Sequence, residues 1–163
     1  MQIRRLEPND LPEVERVAYP IYYPFLWEPM DAFVKKVELY PEGCFVAIHD
    51  DKIIGYLYSH PWKFDSFVPL AAVIELPPDP DCYYIHDLAV DVNYRSLGVG
   101  KLLAEKAFET GYDRIKLVSV LNSHNFWGKL GFEIVEPVEY APGIHGYIMV
   151  RKKRIGFPIL FSA

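Results

Sequence analysis

YRSLGVGKLL, residues 94–103, puts a basic residue ahead of two glycines spaced one apart and then runs into an apolar helical pattern. Glycines let a backbone come close to a bulky anion, and the free N–H groups at a helix start point toward it. The stretch therefore reads as a phosphate-holding loop, and three signatures compete for it. A nucleotide P-loop needs glycine five positions before the Gly100-Lys101 pair and Ser or Thr after it. Position 95 is arginine and position 102 is leucine, so that reading fails twice. A dinucleotide fingerprint needs a third glycine at position 103, where leucine stands. The third signature, Q/R-x-x-G-x-G/A between a strand and a helix, is met in full by Arg95, Gly98 and Gly100.

The surroundings of the loop set the fold class. YYIHDLAVD, 83–91, reads as the strand that leads in. Residues 99–110 form a helix with Val99, Leu102, Leu103 and Ala107 on one face, stopped by Gly111. IKLVSV, 115–120, is a buried strand, 122–130 a short helix, and GFEIVEP and HGYIMVRK, 131–137 and 145–152, a closing pair of strands. Toward the other end, residues 2–6 read as a strand. Asn9 or Asp10 caps a helix through Ala18, with Leu11, Val14 and Val17 on one face. YPIYYPFLWEP, 19–29, breaks regular structure with three prolines and crowds five aromatic residues together. A helix over 31–40, with Phe33, Val34 and Val37 apolar, and a hairpin over 44–60 follow. Residues 61–81 hold five prolines yet also Trp62, Phe64 and Phe67, which argues for an ordered loop that covers something. The pattern is an α/β sandwich around a mixed central sheet, one domain over residues 1–163.

Composition narrows the partners. Seventeen basic against twenty-two acidic residues leave a net charge of −5, which argues against nucleic acid, since phosphate-backbone binding needs a clustered positive face. RKKR, 151–154, is the only basic run and reads as a solvated strand end. Cys44 and Cys82 lie far apart beside apolar runs, with no histidine spacing that makes a zinc site, so buried thiols and no metal are expected. No stretch approaches the ~20 apolar residues of a membrane span, and MQIRRLEPND has no signal-peptide core. The expectation is a soluble, reducing, cytoplasmic setting with no membrane partner. The apolar tail GFPILFSA, 156–163, packs on its own domain or meets a partner chain, which leaves a homodimer open.

With LAV at 88–90 before the loop and NFWGKLGF at 125–132 after it, the chain resembles the GCN5-related N-acetyltransferase superfamily from its IRRLEPND opening to its last strand. The resemblance implies that strands four and five splay apart and that the gap takes the pantetheine arm of acetyl-coenzyme A, the co-substrate. Arg95, Ser96, Leu97, Gly98, Val99, Gly100 and Lys101 would then hold the pyrophosphate. Leu88, Ala89 and Val90 would lie along the arm, with one N–H near Leu88 polarising the thioester carbonyl. Asn122 would touch the arm from the other side, or cap the short helix. HDLAV resembles the arylalkylamine acetyltransferase branch, which carries two histidines ahead of its LAV; His86 falls on the second and Tyr84 replaces the first.

An aliphatic ammonium, with a pKa near ~10, must lose a proton before it attacks. Strand alternation puts Tyr84 and His86 on one face and Asp87 on the other. His86 suits a base or water relay, or else is a hydrogen-bonded core histidine; Asp87 is the alternative base or holds the substrate cation. Many members of the superfamily place a tyrosine acid where this chain has Trp127, which gives up no proton. Phe126 and Trp127 then pack under the co-substrate. The acceptor site is expected between the N-terminal helices, the 61–81 loop and the last hairpin, lined by Tyr22, Tyr23, Phe25, Trp27, Trp62, Phe64, Tyr140 and His145. That aromatic lining points to a small apolar or aromatic amine. A protein N-terminus or lysine, and a non-catalytic acyl-coenzyme A sensor, are the alternatives.

Overall fold

The computed structural model describes residues 1–153; the apolar tail over 156–163, expected to pack on its own domain or meet a partner chain, lies outside them. Seven strands form one sheet in the order β1-β2-β3-β4-β5-β7-β6. They are β1 (Gln2–Arg5), β2 (Cys44–His49), β3 (Lys52–Trp62), β4 (Cys82–Val90), β5 (Arg114–Ser119), β6 (Glu133–Ala141) and β7 (Ile144–Lys152). The helices are α1 (Leu11–Tyr22), α2 (Met30–Leu39), α3 (Val99–Phe108) and α4 (His124–Lys129). No helix among the described residues is long and apolar enough to cross a membrane.

β3 is buried from Ile53 to Pro61, as expected of a strand covered on both faces. Two cores divide its side chains. Tyr56 and Tyr58 pack with Val14, Val17, Phe33 and Val37 of α1 and α2. Leu57 packs on the other face with Val99 and Leu103 of α3, Leu117 of β5 and Trp127 of α4. Cys44 and Cys82 are free and buried, and burial pushes their thiols up, to about 12 and about 11.

Two departures from the sequence reading shape the centre of the molecule. α1 continues through Pro20 to Tyr22 instead of stopping near Ala18. Proline forfeits one backbone donor there, but the turn closes beyond it through Tyr23 N–H donating to the Tyr19 carbonyl at 3.0 Å. The second departure lies in β4. Tyr58 pairs with Asp87 and Ser59 with Ile85, so His86 is an extra residue with no partner on β3. This β-bulge cancels the simple alternation of side chains.

Among the described residues β4 and β5 are the one parallel pair, and they pair only at Tyr83–Ile115 and Tyr84–Lys116. Beyond that point β5 follows β7, as far as Ser119–Tyr147. The two strands therefore part beside residues 85–90, and the β5-facing edge of β4 there has no ladder partner in β5. The expected splay is present.

Candidate active site

The gap between the parting strands is the floor of a cavity of about 650 Å³. That volume is typical of small-molecule sites. One end is walled by Arg95, Gly100, Asn122 and Phe126, the middle by residues 84–90, and the other end by Tyr22, Glu28, Lys36, Leu70 and Tyr140.

The first end is built from the glycine loop. Asp91 accepts the Asn93 N–H at 3.0 Å and starts a single 3-10 segment, Val92–Leu97. Gly98 closes that segment in the left-handed region, with φ +74°, and opens α3. A side chain would be strained there. Gly100 serves close approach instead: a Cβ at this position would meet the Phe126 ring at 2.9 Å and 3.1 Å. The first N–H groups of α3 lack helical partners and are available to an anion. Arg95 reaches back from the loop, Nε donating to the Val90 carbonyl at 3.4 Å. Ser96, Leu97 and Lys101 are exposed beside the cavity, and Val99 turns into the core. Asn122 has φ +58° and borders the cavity, while Ser123 takes the cap position of α4. Trp127 is buried on Phe126 and Phe132 with a face on the cavity.

In the middle, the bulge brings Tyr84, His86 and Asp87 together on the α1–α2 side, where alternation separates Asp87 from the other two. Asp87 accepts from the Tyr22 hydroxyl at 2.6 Å and from the Tyr56 hydroxyl at 2.8 Å. Burial raises its pKa; the Lys36 ammonium and the two hydroxyls pull the other way without cancelling the shift. Burial also raises Tyr22 and Tyr56 well above the usual phenol value, and the adjacent Asp87 charge adds to it. His86 Nδ1 lies 3.2 Å from His60 Nε2, and His60 Nδ1 lies 2.9 Å from the Pro61 carbonyl. Burial lowers both imidazoles, His60 to about 4 and His86 well below the ordinary value. His86 and Asp87 are half-buried: they open on the cavity, but protein encloses the rest of each side chain. The Tyr84 hydroxyl accepts the Val68 N–H at 3.2 Å and ties down the long loop.

At the far end sits a pair that the sequence did not announce. Glu28 and Lys36 form a buried ion pair. The second Glu28 oxygen accepts the Ala71 N–H at 3.3 Å. Eight positions and Pro29 separate the two residues, so no helical spacing signals them. The loop over 63–81 is fastened at its start by Lys116, whose ammonium donates to the carbonyls of Phe64 at 2.7 Å and Ser66 at 2.9 Å. Leu70 carries this loop onto the cavity wall.

Most of the aromatic residues read as acceptor lining stand elsewhere. Tyr22 and Tyr140 border the cavity. Tyr23 and Phe25 are exposed, Tyr23 stacked on Tyr19 at 4.6 Å. Trp27 packs on Tyr19 and Phe33 outside the cavity wall, and Trp62 packs beside His60. Phe64 lies under Arg114, and His145 is exposed on β7. Rings in a proline-rich segment gain as much area by capping a core or stacking on each other as by lining a site, and here they do so. Among the described residues no cluster of three or more His, Cys, Asp or Glu could hold a metal ion.

Residues 7–132 match the model of the acetyltransferase (GNAT) family. The chain is 28% identical over 157 residues to an N-alpha-acetyltransferase of Sulfurisphaera tokodaii, covering 90% of this chain and 87% of that one. It is 25% identical over 150 residues to an N-alpha-acetyltransferase of Saccharolobus solfataricus, covering 85% and 83%. The fold is similar to that of Ard1 from Thermoplasma volcanium, with a TM-score of 0.73 at 19% identity over 93% of this chain and 96% of the other.

Proposed function

The chain belongs to the acetyltransferase (GNAT) family and is an acyltransferase, and on that premise we propose that it acetylates the free α-amine of a peptide or protein chain. The acceptor end of the cavity carries this reading. It sets the Glu28–Lys36 pair and Asp87 among Tyr22, Phe33 and Tyr140, fixed polar partners that a small arylalkylamine would not need. Glu28 offers a carboxylate to an entering ammonium, and Lys36 has further donors for a peptide carbonyl. The N-alpha-acetyltransferase relatives point the same way, whereas the arylalkylamine resemblance rests on HDLAV and the long loop after β3.

Acetyl-coenzyme A, the donor, brings an acetyl thioester. Arg95 and the first N–H groups of α3 suit its pyrophosphate, and the unpaired edge of β4 at Leu88, Ala89 and Val90 suits its amide-bearing arm. An N–H near Leu88 would stabilise negative charge developing on the thioester oxygen. His86, which borders the cavity, would take a proton from the ammonium, directly or through water. The amine then forms the C–N bond as the C–S bond breaks. The leaving thiolate, with a thiol pKa near ~8.5, departs with modest assistance. That eases the demand for the tyrosine acid which Trp127 does not supply. The attacking nitrogen sheds its second proton, and the thiolate takes one up.

Incubation with acetyl-coenzyme A and three acceptors tests the reading: a peptide with a free α-amine, the same peptide α-blocked but carrying lysine, and tryptamine. Mass spectrometry should place the acetyl group on the free α-amine. Turnover confined to tryptamine would return the function to small amines, and turnover confined to the blocked peptide would move it to lysine.

A further inference from the structure

His60 lies one strand away from the candidate base, and the acetyl transfer written above does not call on it. It is 5% exposed, on β3. Its ring is stacked on Tyr84 at 5.5 Å and meets the Trp62 edge at 5.4 Å, so its rotamer is fixed by packing. The Pro61 carbonyl, 2.9 Å from Nδ1, can only accept, so that nitrogen carries a hydrogen. A neutral imidazole has one N–H, which leaves His60 Nε2 as an acceptor. Its neighbour at 3.2 Å is His86 Nδ1, which must then be the donor. The proton of neutral His86 is thereby spent on His60, and Nε2 of His86 is left with a bare lone pair. His86 borders the cavity, and it makes no other hydrogen bond among the described residues.

A charged His60 would donate from both nitrogens and reverse the second bond. Burial and the nearby Lys36 ammonium oppose that charge. One carbonyl therefore orders two rings in series.

We propose that His60 is a positioning residue: held by the Pro61 carbonyl, it fixes His86 in the Nδ1–H tautomer, so that Nε2 meets the incoming ammonium as a proton acceptor. The proposal rests on the reading of His86 as the base. Without His60 the proton would be free to move to Nε2, the form usually favoured by histidine in a peptide, and the lone pair would face the protein instead of the cavity.

Nitrogen-15 spectra of the histidine-labelled, full-length protein at pH 7.5 test it, with His86 assigned by comparison with His86→Ala. The wild type should show His86 protonated on Nδ1 and bare on Nε2. His60→Leu should move the proton to Nε2 and lower kcat/KM by about 10²-fold, the order of a general-base contribution, with KM for acetyl-coenzyme A unchanged. His60→Gln, whose amide oxygen can accept the same bond, should restore the tautomer and most of the rate. A wild-type His86 protonated on Nε2 overturns the proposal, whatever either His60 variant does. So does a tautomer that ignores His60→Leu in an enzyme that still depends on His86. Full turnover by His86→Ala would instead remove the base reading of the site, and this proposal with it.

Discussion

At the scale of single residues the question is which group takes the proton, His86 or Asp87. Both Asp87 oxygens already receive tyrosine hydroxyls, whereas His86 keeps one nitrogen free toward the cavity. Burial lowers His86 well below the usual ~6.5. The sign matters: a base with a lowered pKa is already unprotonated at neutral pH, so its own acidic limb falls below the ordinary histidine range. A peptide α-amine titrates near ~7.7–8.0 and supplies a separate limb. We therefore predict that kcat/KM for a peptide is level around neutrality and falls as the pH passes the pKa of its amine, because the ammonium is the form that His86 deprotonates, and that this limb moves when the amine is made more or less basic. No fixed limb should appear near ~6.5, the unperturbed histidine value. His86→Ala should lower the rate near neutrality by about 10²-fold and leave a residual rate that rises with the neutral amine. A fixed limb near that ordinary histidine value would show that His86 titrates as an exposed ring. Near-normal His86→Ala beside an inactive Asp87→Asn would hand the role to Asp87.

At the scale of elements, some of this site was open to sequence reading and some was not. Arg95, Gly98 and Gly100 were legible because the loop is local: its chemistry depends on residues six positions apart at most. The strand and helix around it followed from apolar periodicity for the same reason. The bulge at His86 was not legible, because it exists only in the pairing of β4 with β3, and alternation along one strand cannot report its partner's register. Glu28 and Lys36 were hidden because a turn at Pro29, not a helical repeat, brings them together. The loop over 63–81 sits between the cases: its aromatics told of order, but its fastening to buried Lys116 is a long-range contact. That fastening can be tested. Lys116→Met keeps the aliphatic stem but leaves two carbonyls without their charged donor, a loss of roughly 1.5–3 kcal/mol for a hydrogen bond of this type. The expected result is faster limited proteolysis within 63–81. KM for the acceptor should rise several-fold, because Leu70 and the Ala71 bond to Glu28 lie on that loop, while acetyl-coenzyme A binding stays unchanged. Cleavage at the wild-type rate would show that Lys116 does not hold the loop.

At the scale of the whole molecule, a chain of net charge −5 must bind a polyanion. Long-range repulsion is weak, because at physiological salt charges beyond ~8 Å are screened. The local field at the loop therefore decides, and its parts are the first N–H groups of α3 and the Arg95 guanidinium. A ligand that binds only the folded state adds RT ln(1 + [L]/Kd), about 2.7 kcal/mol at a hundred times Kd. For a domain of this size that corresponds to a rise in Tm of several degrees. Acetyl-coenzyme A should give such a rise, and the rise should shrink with added salt. Arg95→Glu places a like charge beside the pyrophosphate and should remove most of it. Arg95 is exposed, and its one hydrogen bond among the described residues, to the Val90 carbonyl, is long at 3.4 Å. The ligand-free Tm should therefore barely change, which separates a binding loss from a folding loss. An Arg95→Glu protein that melts as the wild type does without ligand, and is stabilised as fully with it, would mean that the pyrophosphate does not sit on this loop.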